Sequence, residues 1–357
     1  MRESLARTSG RLLAAAAGAL ALAAGLLTAA PQHAASAAEP APSAADLTEI
    51  TGFGSNPGNL SMYAYVPDGL PADAPVVVAL HGCTQNARDY YDHSGWPELA
   101  DRHGFAVVLP QTSSANNLNS CFNWFKPGDT ARDSGEALSI KQMVDKAVTE
   151  FGADADRIHV TGLSAGGGMT ANLLAAYPDV FAGGAVNAGL PAYCANNVAT
   201  AYTCMYSPAD KSPTEWGDSV RAAAPEGTTE WPRVAIWQGT ADTTVRPANA
   251  DELRDQWTDV WGLGQTPSRT ADLPGGTTRS SYDDSAGRSA VEVYSISGMA
   301  HGLAVDPGDG TEQCGTAGTY YLDTICSSHH TAAFWGLIPT GAGRDQSSPS
   351  RSPSVSR

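Results

Sequence analysis

From Ser61 onward, short apolar runs alternate with longer stretches in which apolar residues recur every three or four positions. Ser61–Val66 and Val76–Leu80 read as strands, and Trp96–Arg102 as a helix closed by His103-Gly104. Phe105–Leu109 is a third strand. Ser134–Phe151 is a long amphipathic helix that sets Ile140, Met143, Val144, Ala147 and Phe151 on one face. A β-branched strand beginning at Arg157 runs into a small-residue helix, Ala165–Tyr177, closed by Pro178. Phe181–Asn187, Val234–Gln238 and Val291–Ile296 are predicted strands, with a helix over Ala248–Trp261 and a last one over Ser328–Leu337. Short, uniformly apolar strands alternating with helices predict an α/β fold: a mostly parallel central sheet with helices on both faces.

The junction of the Arg157 strand with its helix carries the most chemistry. Gly162-Leu163-Ser164-Ala165-Gly166 is a G-x-S-x-G turn, too tight for side chains at its glycines, which lifts the Ser164 hydroxyl above the sheet. The pattern is short enough to occur by chance; the strand before it and the helix after it give it weight. An exposed serine there, given a base and an oxyanion site, is an acyl-transfer nucleophile.

An α/β hydrolase places nucleophile, acid and base in that chain order, each after a strand. Asp242 follows the strand R-V-A-I-W-Q, and His301 follows V-E-V-Y-S-I. In such a triad His301 takes the Ser164 proton and Asp242 orients the imidazole. Asp210 is the poorer acid, because no clear strand precedes it. His93, His103, His329 and His330 read as loop or helix residues and His159 as a structural strand residue, while His33 falls near the expected export-signal cleavage region.

After the strand V-V-V-A-L comes His81-Gly82-Cys83-Thr84-Gln85, in the position of an HG-type oxyanion loop. The backbone N–H of Ala165, with that of Cys83 or Thr84, is the expected donor pair. His81 is expected to buttress that loop rather than to move protons. Trp124 and Phe125, with His81, are the candidate substrate-binding residues, ordinary packing being the alternative for the aromatics.

Composition and charge narrow the setting. Arg2, Arg7 and Arg11 precede an apolar run from Leu12 to Ala30 and a small-residue stretch ending Ala35-Ser36-Ala37-Ala38. That order is an export signal, so residues 1–38 are expected to be removed. No arginine pair is present, which favours general secretion over twin-arginine export. An uncleaved anchor is the rival, against which the apolar run is short. The signal carries three Arg and one Glu, a net +2, so the formal charge of −16 becomes −18. So acidic a surface disfavours nucleic acid and anionic membranes as partners and suits a secreted, soluble enzyme, expected to be a monomer. Residues 39–339 are long enough for one large catalytic domain. Residues 340–357, rich in Ser, Pro and Arg, are expected to be a disordered tail.

Six cysteines in an exported chain argue for three disulfides. Short loops favour Cys194–Cys204 and Cys314–Cys326, leaving Cys83–Cys121, which would tie the HG loop to Phe122-Asn123-Trp124-Phe125. With no C-x-x-C spacing, neither a metal nor a redox site is expected, and buried free thiols are the alternative.

Together, L-H-G-C-T-Q (80–85), W-P-E-L-A-D-R-H-G-F-A-V-V-L-P (96–110), C-F-N-W-F (121–125), G-L-S-A-G-G-G-M (162–169), G-T-A-D-T-T-V (239–245) and G-M-A-H-G (298–302) resemble the polyhydroxybutyrate-depolymerase family of secreted esterases. That family also includes feruloyl and acetylxylan esterases. The resemblance implies an α/β-hydrolase fold, a serine mechanism without metal or other cofactor through Ser164, Asp242 and His301, and esters of polymers or their fragments as substrates. Polyester depolymerases of the family often carry a linker and a polymer-binding module; this chain shows only a linker-like tail. Acyl groups on plant polysaccharides therefore stand beside poly(3-hydroxyalkanoate) and its oligomers. A non-catalytic binding protein, a lipase and a peptidase on the same fold are the readings from other classes. No long apolar insertion lies between the elbow and Asp242, which weighs against a lidded lipase.

Overall fold

The computed structural model describes residues 46–338. The expected export signal, with His33, and the expected tail lie outside the described residues. Along the chain run β1 (Thr48–Ile50), β2 (Ser61–Tyr65), β3 (Val76–Leu80), α1 (Ala87–His93), α2 (Trp96–His103), β4 (Ala106–Gln111), α3 (Pro127–Thr130) and α4 (Gly135–Phe151). Then come β5 (Ile158–Leu163), α5 (Ala165–Ala176), β6 (Gly183–Asn187), α6 (Val198–Tyr206), α7 (Pro213–Ala223), β7 (Arg233–Gly239) and α8 (Ala248–Val260). Last are β8 (Arg269–Leu273), β9 (Thr277–Asp283), β10 (Ser289–Ile296), β11 (Leu303–Val305), β12 (Tyr321–Asp323) and α9 (Ser327–Trp335).

Ten strands form one sheet in the order β1-β2-β4-β3-β5-β6-β7-β10-β9-β8. The six central strands, β4 to β10 in that order, pair in parallel. The outer strands on each side pair antiparallel. The expected mostly parallel sheet is thus the one observed. The antiparallel pairing at its margins, and the separate small β11–β12 pair, were not legible: β8 (R-T-A-D-L) is short and largely exposed, with only Leu273 packed on the core.

The period-two geometry of a strand splits the core into two layers. Val76, Val78 and Leu80 of β3 face one layer, with Ile140 and Met143 of α4, Leu173 of α5, and Leu253 and Trp257 of α8. Val77 and Ala79 face the other, with Tyr90 of α1, Leu99 of α2, and Phe334 and Trp335 of α9. Neighbouring β4 and β7 divide the same way (Val108 and Ile236 against Leu109 and Trp237), which is why these strands are apolar throughout rather than alternating.

Because the central strands are parallel, their carboxyl ends share one edge of the sheet. The loops after β3, β5, β7 and β10 therefore meet there, where ligands of open α/β sheets bind.

His159 stands on β5 well away from that edge, buried and stacked on Trp335 at 4.7 Å. Burial pushes its pKa down to about 3 from an ordinary 6.5. His81 and His330 are likewise pushed down, each to about 4, by burial. The unfolded chain then takes up protons that the folded chain refuses, so these groups' stability is complete above about pH 6.5 and is lost as pH falls toward their folded values. A His159→Phe variant should show a shallower fall in Tm than the wild type between about pH 6.5 and pH 4; parallel melting curves would count against this account.

Candidate active site

Ser164 sits at the amino end of α5 with φ 57° and ψ −115°, a conformation that non-glycine residues avoid. Its N–H donates to Asn187 O on β6 (2.9 Å), and its carbonyl accepts the first helical hydrogen bond from Gly168 N (2.9 Å). The glycines of the turn are dictated by close approach. A Cβ on Gly162 would lie 2.4 Å from the Gly166 carbonyl, and one on Gly166 would lie 2.4 Å from Leu80 O and 2.6 Å from His81 O. Backbone cannot give way as a side chain can, so the elbow packs directly onto the end of β3.

Asp242 is buried in the loop after β7. Its Oδ1 accepts from the N–H of Thr244 (2.8 Å) and Val245 (2.9 Å); its Oδ2 accepts from Gln238 Nε2 (3.2 Å) and meets His301 Nδ1 at 2.7 Å. The loop bearing His301 is stitched to that of Asp242: Thr240 N donates to Ile296 O, Ala241 N to Met299 O and Gly298 N to Thr240 Oγ1. The acid and base are thus held by backbone as well as by their own contact.

Ser164 and His301 line one cavity of about 610 Å³, together with Gly82, Cys83, Trp124 and Phe125. Asp210 is exposed and outside the lining, and the cavity takes none of the other described histidines.

In the HG loop, Gly82 N donates to Gln85 Oε1 (2.7 Å) and Gln85 N to Gly82 O (3.3 Å). Thr84, at φ 63°, donates its N–H to Asn119 O at 2.7 Å. Of the two amides expected to serve an oxyanion there, only that of Cys83 lacks an acceptor among the described residues.

His81 requires a correction. It is completely buried and does not line the cavity, so it cannot touch a substrate. Its Nδ1 meets Gly82 O (2.7 Å), and its Nε2 faces the N–H of Thr112 (3.3 Å). A carbonyl only accepts and an amide N–H only donates, so the proton is on Nδ1 and the ring is neutral. Burial, pushing the pKa down to about 4, agrees. Its place is as a brace between the HG loop and the chain after β4.

The disulfides are Cys194–Cys204 and Cys314–Cys326, the two pairs that short loops favoured, and Cys83–Cys121, the pair that these left over. Cys83–Cys121 links the HG loop to the segment carrying Trp124 and Phe125, whose rings meet edge to face at 5.5 Å.

Several supporting residues escaped the sequence reading. Gln238 and Gln85 hold the acid and the HG loop, but isolated glutamines give no pattern. Glu136, buried at the start of α4, accepts from Asn123 N (2.7 Å) and Asn123 Nδ2 (3.1 Å), fixing the residue before Trp124. Tyr202 and Met205 of α6 and Tyr320 also line the cavity. The close spacing of Cys194 and Cys204 was the one hint that this stretch is anchored.

Burial pushes Glu136 up to about 8 from 4.5, against the opposing pull of the Asn123 donors. A raised acid stabilises the fold fully below pH 4.5, and that stability is lost as pH rises through about 8. Glu136→Gln should therefore flatten the decline of Tm between about pH 5 and pH 8; an unchanged slope would refute a protonated Glu136.

The family model described as esterase PHB depolymerase matches residues 60–280. Poly(3-hydroxyalkanoate) depolymerase C of Paucimonas lemoignei is 50% identical over 293 residues, covering 82% of this chain and 70% of its own length. Feruloyl esterase B of Talaromyces stipitatus is 35% identical over 270 residues, 74% of each chain. Among solved structures, an acetyl xylan esterase from Aspergillus awamori superposes with a TM-score of 0.69 at 26% identity, over 82% of this chain and all of that one.

Proposed function

Because the chain belongs to the esterase PHB depolymerase family and is a carboxylic ester hydrolase of the α/β-hydrolase fold, we propose that its Ser164, His301 and Asp242 cleave ester bonds of poly(3-hydroxyalkanoate) or its oligomers through an acyl-enzyme. The observation that carries this reading is the hydrogen bond from His301 Nδ1 to Asp242 Oδ2, with His301 and the strained Ser164 lining one cavity.

With Nδ1 engaged by Asp242, the imidazole has Nε2 left to take the Ser164 proton. Ser164 Oγ then attacks the ester carbonyl, and the negative charge develops on the carbonyl oxygen. Ala165 N–H, at the first turn of α5, and Cys83 N–H supply donors there, aided by the helix dipole. His301 next hands its proton to the departing alcohol, leaving an acyl group on Ser164. Water, deprotonated by His301, releases the acid and restores the serine. The chemistry draws on side chains and backbone alone.

The polyester is favoured by the 50% identity to a poly(3-hydroxyalkanoate) depolymerase. The second reading, removal of feruloyl or acetyl groups from plant polysaccharide, rests on relatives at 33–38% identity. Export is supported by three disulfides, which suit an oxidising compartment, and among the described residues no helix is long and apolar enough to cross a membrane. We also assign residues 39–339 to one catalytic domain acting as a monomer.

Ser164→Ala should lower kcat on p-nitrophenyl butyrate on the order of 10⁴-fold or more, and Asp242→Asn about 10⁴-fold, with Tm nearly unchanged. Retained turnover in the Ser164 variant would sink the triad, and an inert wild type would favour a non-catalytic role. Purified wild type should release soluble hydroxy acids from poly(3-hydroxybutyrate) film. Activity confined to acetylated xylan or methyl ferulate would transfer the assignment to the second reading.

A further inference from the structure

A buried carboxyl needs a reason, because burial takes away the water that would solvate it. Glu136, in the first turn of α4, is completely buried. The charges of Lys126 and Asp129 act on it in opposite senses, so neither accounts for its place. Both of its oxygens are instead given to one neighbour: Oε2 accepts from Asn123 N (2.7 Å) and Oε1 from Asn123 Nδ2 (3.1 Å).

That pair of bonds fixes the way the Asn123 amide faces. Its Oδ1 accepts from Asn117 Nδ2 (3.2 Å), and Asn117 Oδ1 accepts from Asn119 N (3.0 Å). Asn119 O in turn accepts from Thr84 N (2.7 Å). A continuous run of hydrogen bonds therefore leads from α4 to the residue beside Cys83. A second run starts one turn further along the same helix. Ser139 Oγ accepts from Gly58 N (2.8 Å), and Asn116 Nδ2 donates to Gly58 O (2.8 Å) and to Thr112 Oγ1 (3.3 Å). Thr112 N then donates to His81 Nε2 (3.3 Å). Gly58 itself sits so close that a Cβ there would lie 2.5 Å from Glu136 Cα. Both runs end on the HG loop.

One amide depends on this support more than any other. The Ala165 N–H is held by α5 and by the seat of the elbow on β3. The Cys83 N–H belongs to a loop whose next residue, Thr84, has φ 63°. The Cys83–Cys121 disulfide ties that loop to the 117–123 segment without fastening the segment to anything else. Fastening comes from Glu136 at Asn123 and from Asn172 Nδ2 of α5, which donates to Trp124 O (2.8 Å).

We propose that Glu136 is a positioning residue for ester cleavage: through Asn123, Asn117 and Asn119 it fixes the loop that aims the Cys83 N–H at the developing oxyanion. The proposal rests on the Ser164–His301–Asp242 reading and adds to it a support that touches neither substrate nor triad. Oxyanion donors act only when held within roughly 0.5 Å of the productive place, before charge develops. Hydrogen bonds suit that task better than apolar packing, since each one sets a direction as well as a distance.

The test measures kcat and KM on p-nitrophenyl butyrate for Glu136→Gln, Glu136→Ala, Asn117→Ala and the Glu136→Ala/Asn117→Ala double variant, with Tm checking the fold. Glu136→Ala should lower kcat roughly tenfold or more while KM stays within about twofold. Glu136→Gln should recover most of the loss, because burial keeps the acid neutral below about pH 8 and an amide matches its size. Asn117→Ala should resemble Glu136→Ala, and the double variant should lose little more than either single one. Full kcat in a folded Glu136→Ala protein would overturn the proposal. So would losses that add in the double variant, or a change confined to KM. If Glu136→Ala does not fold, the half-buried Asn117 decides: unchanged kcat in Asn117→Ala overturns the proposal. Turnover persisting in Ser164→Ala would remove the triad and the proposal together, whereas an inert Ser164→Ala beside a fully active Glu136→Ala removes the proposal alone.

Discussion

The close seating of the elbow on the end of β3 is the constraint on which the site depends. Gly166 leaves no room for a Cβ against the carbonyls of Leu80 and His81. The nucleophile and the HG loop are thereby brought together by backbone packing rather than by side-chain contacts. The strain at Ser164 is held by the strand on one side and by a wholly buried helix on the other. A helix of small residues, A-G-G-G-M-T-A, is what allows that degree of burial, and it is why α5 carries so little apolar periodicity of its own.

The parallel sheet converts this local contact into a site. Asp242 and His301 lie 59 residues apart in sequence, yet they leave adjacent parallel strands and their loops share two backbone hydrogen bonds and a third to the Thr240 hydroxyl. His81 performs a quieter service on the other flank. Its neutral ring bridges Gly82 and Thr112, so the HG loop is pinned from beneath by a group that burial keeps from taking a second proton.

The central strands and the order of Ser164, Asp242 and His301 were readable because both rest on local signals: uniform apolar runs, and polar turns that follow them. The antiparallel margins were not, since short, largely exposed β8 packs only Leu273 on the core. Helix α6 was missed for the reverse reason. Its apolar positions face outward, so they mimic neither a core helix nor a loop. His81 misled because HG-loop position suggests proximity to substrate, whereas its ring turns under the loop and into the core. Glu136 and Gln238 act through hydrogen bonds across long sequence separations or within a single turn, and neither leaves a pattern.

The placement of the disulfides has a consequence for how such a chain diverges. None of the three ties one central strand to another; each closes over a segment at the cleft's edge. The fastened segments also touch the chemistry: Cys83–Cys121 holds a proposed oxyanion donor, Met205 O accepts from Arg246 N in the loop after Asp242, and Tyr320 O accepts from Leu303 N beside His301. Substitutions in a fastened segment therefore reach the acid–base loops through these contacts, as Thr324 on Met299 and Tyr320 beside His301 do. In a chain built this way the cleft's edge and the setting of the catalytic loops change together, so a substitution at the rim bears on the reaction beneath it.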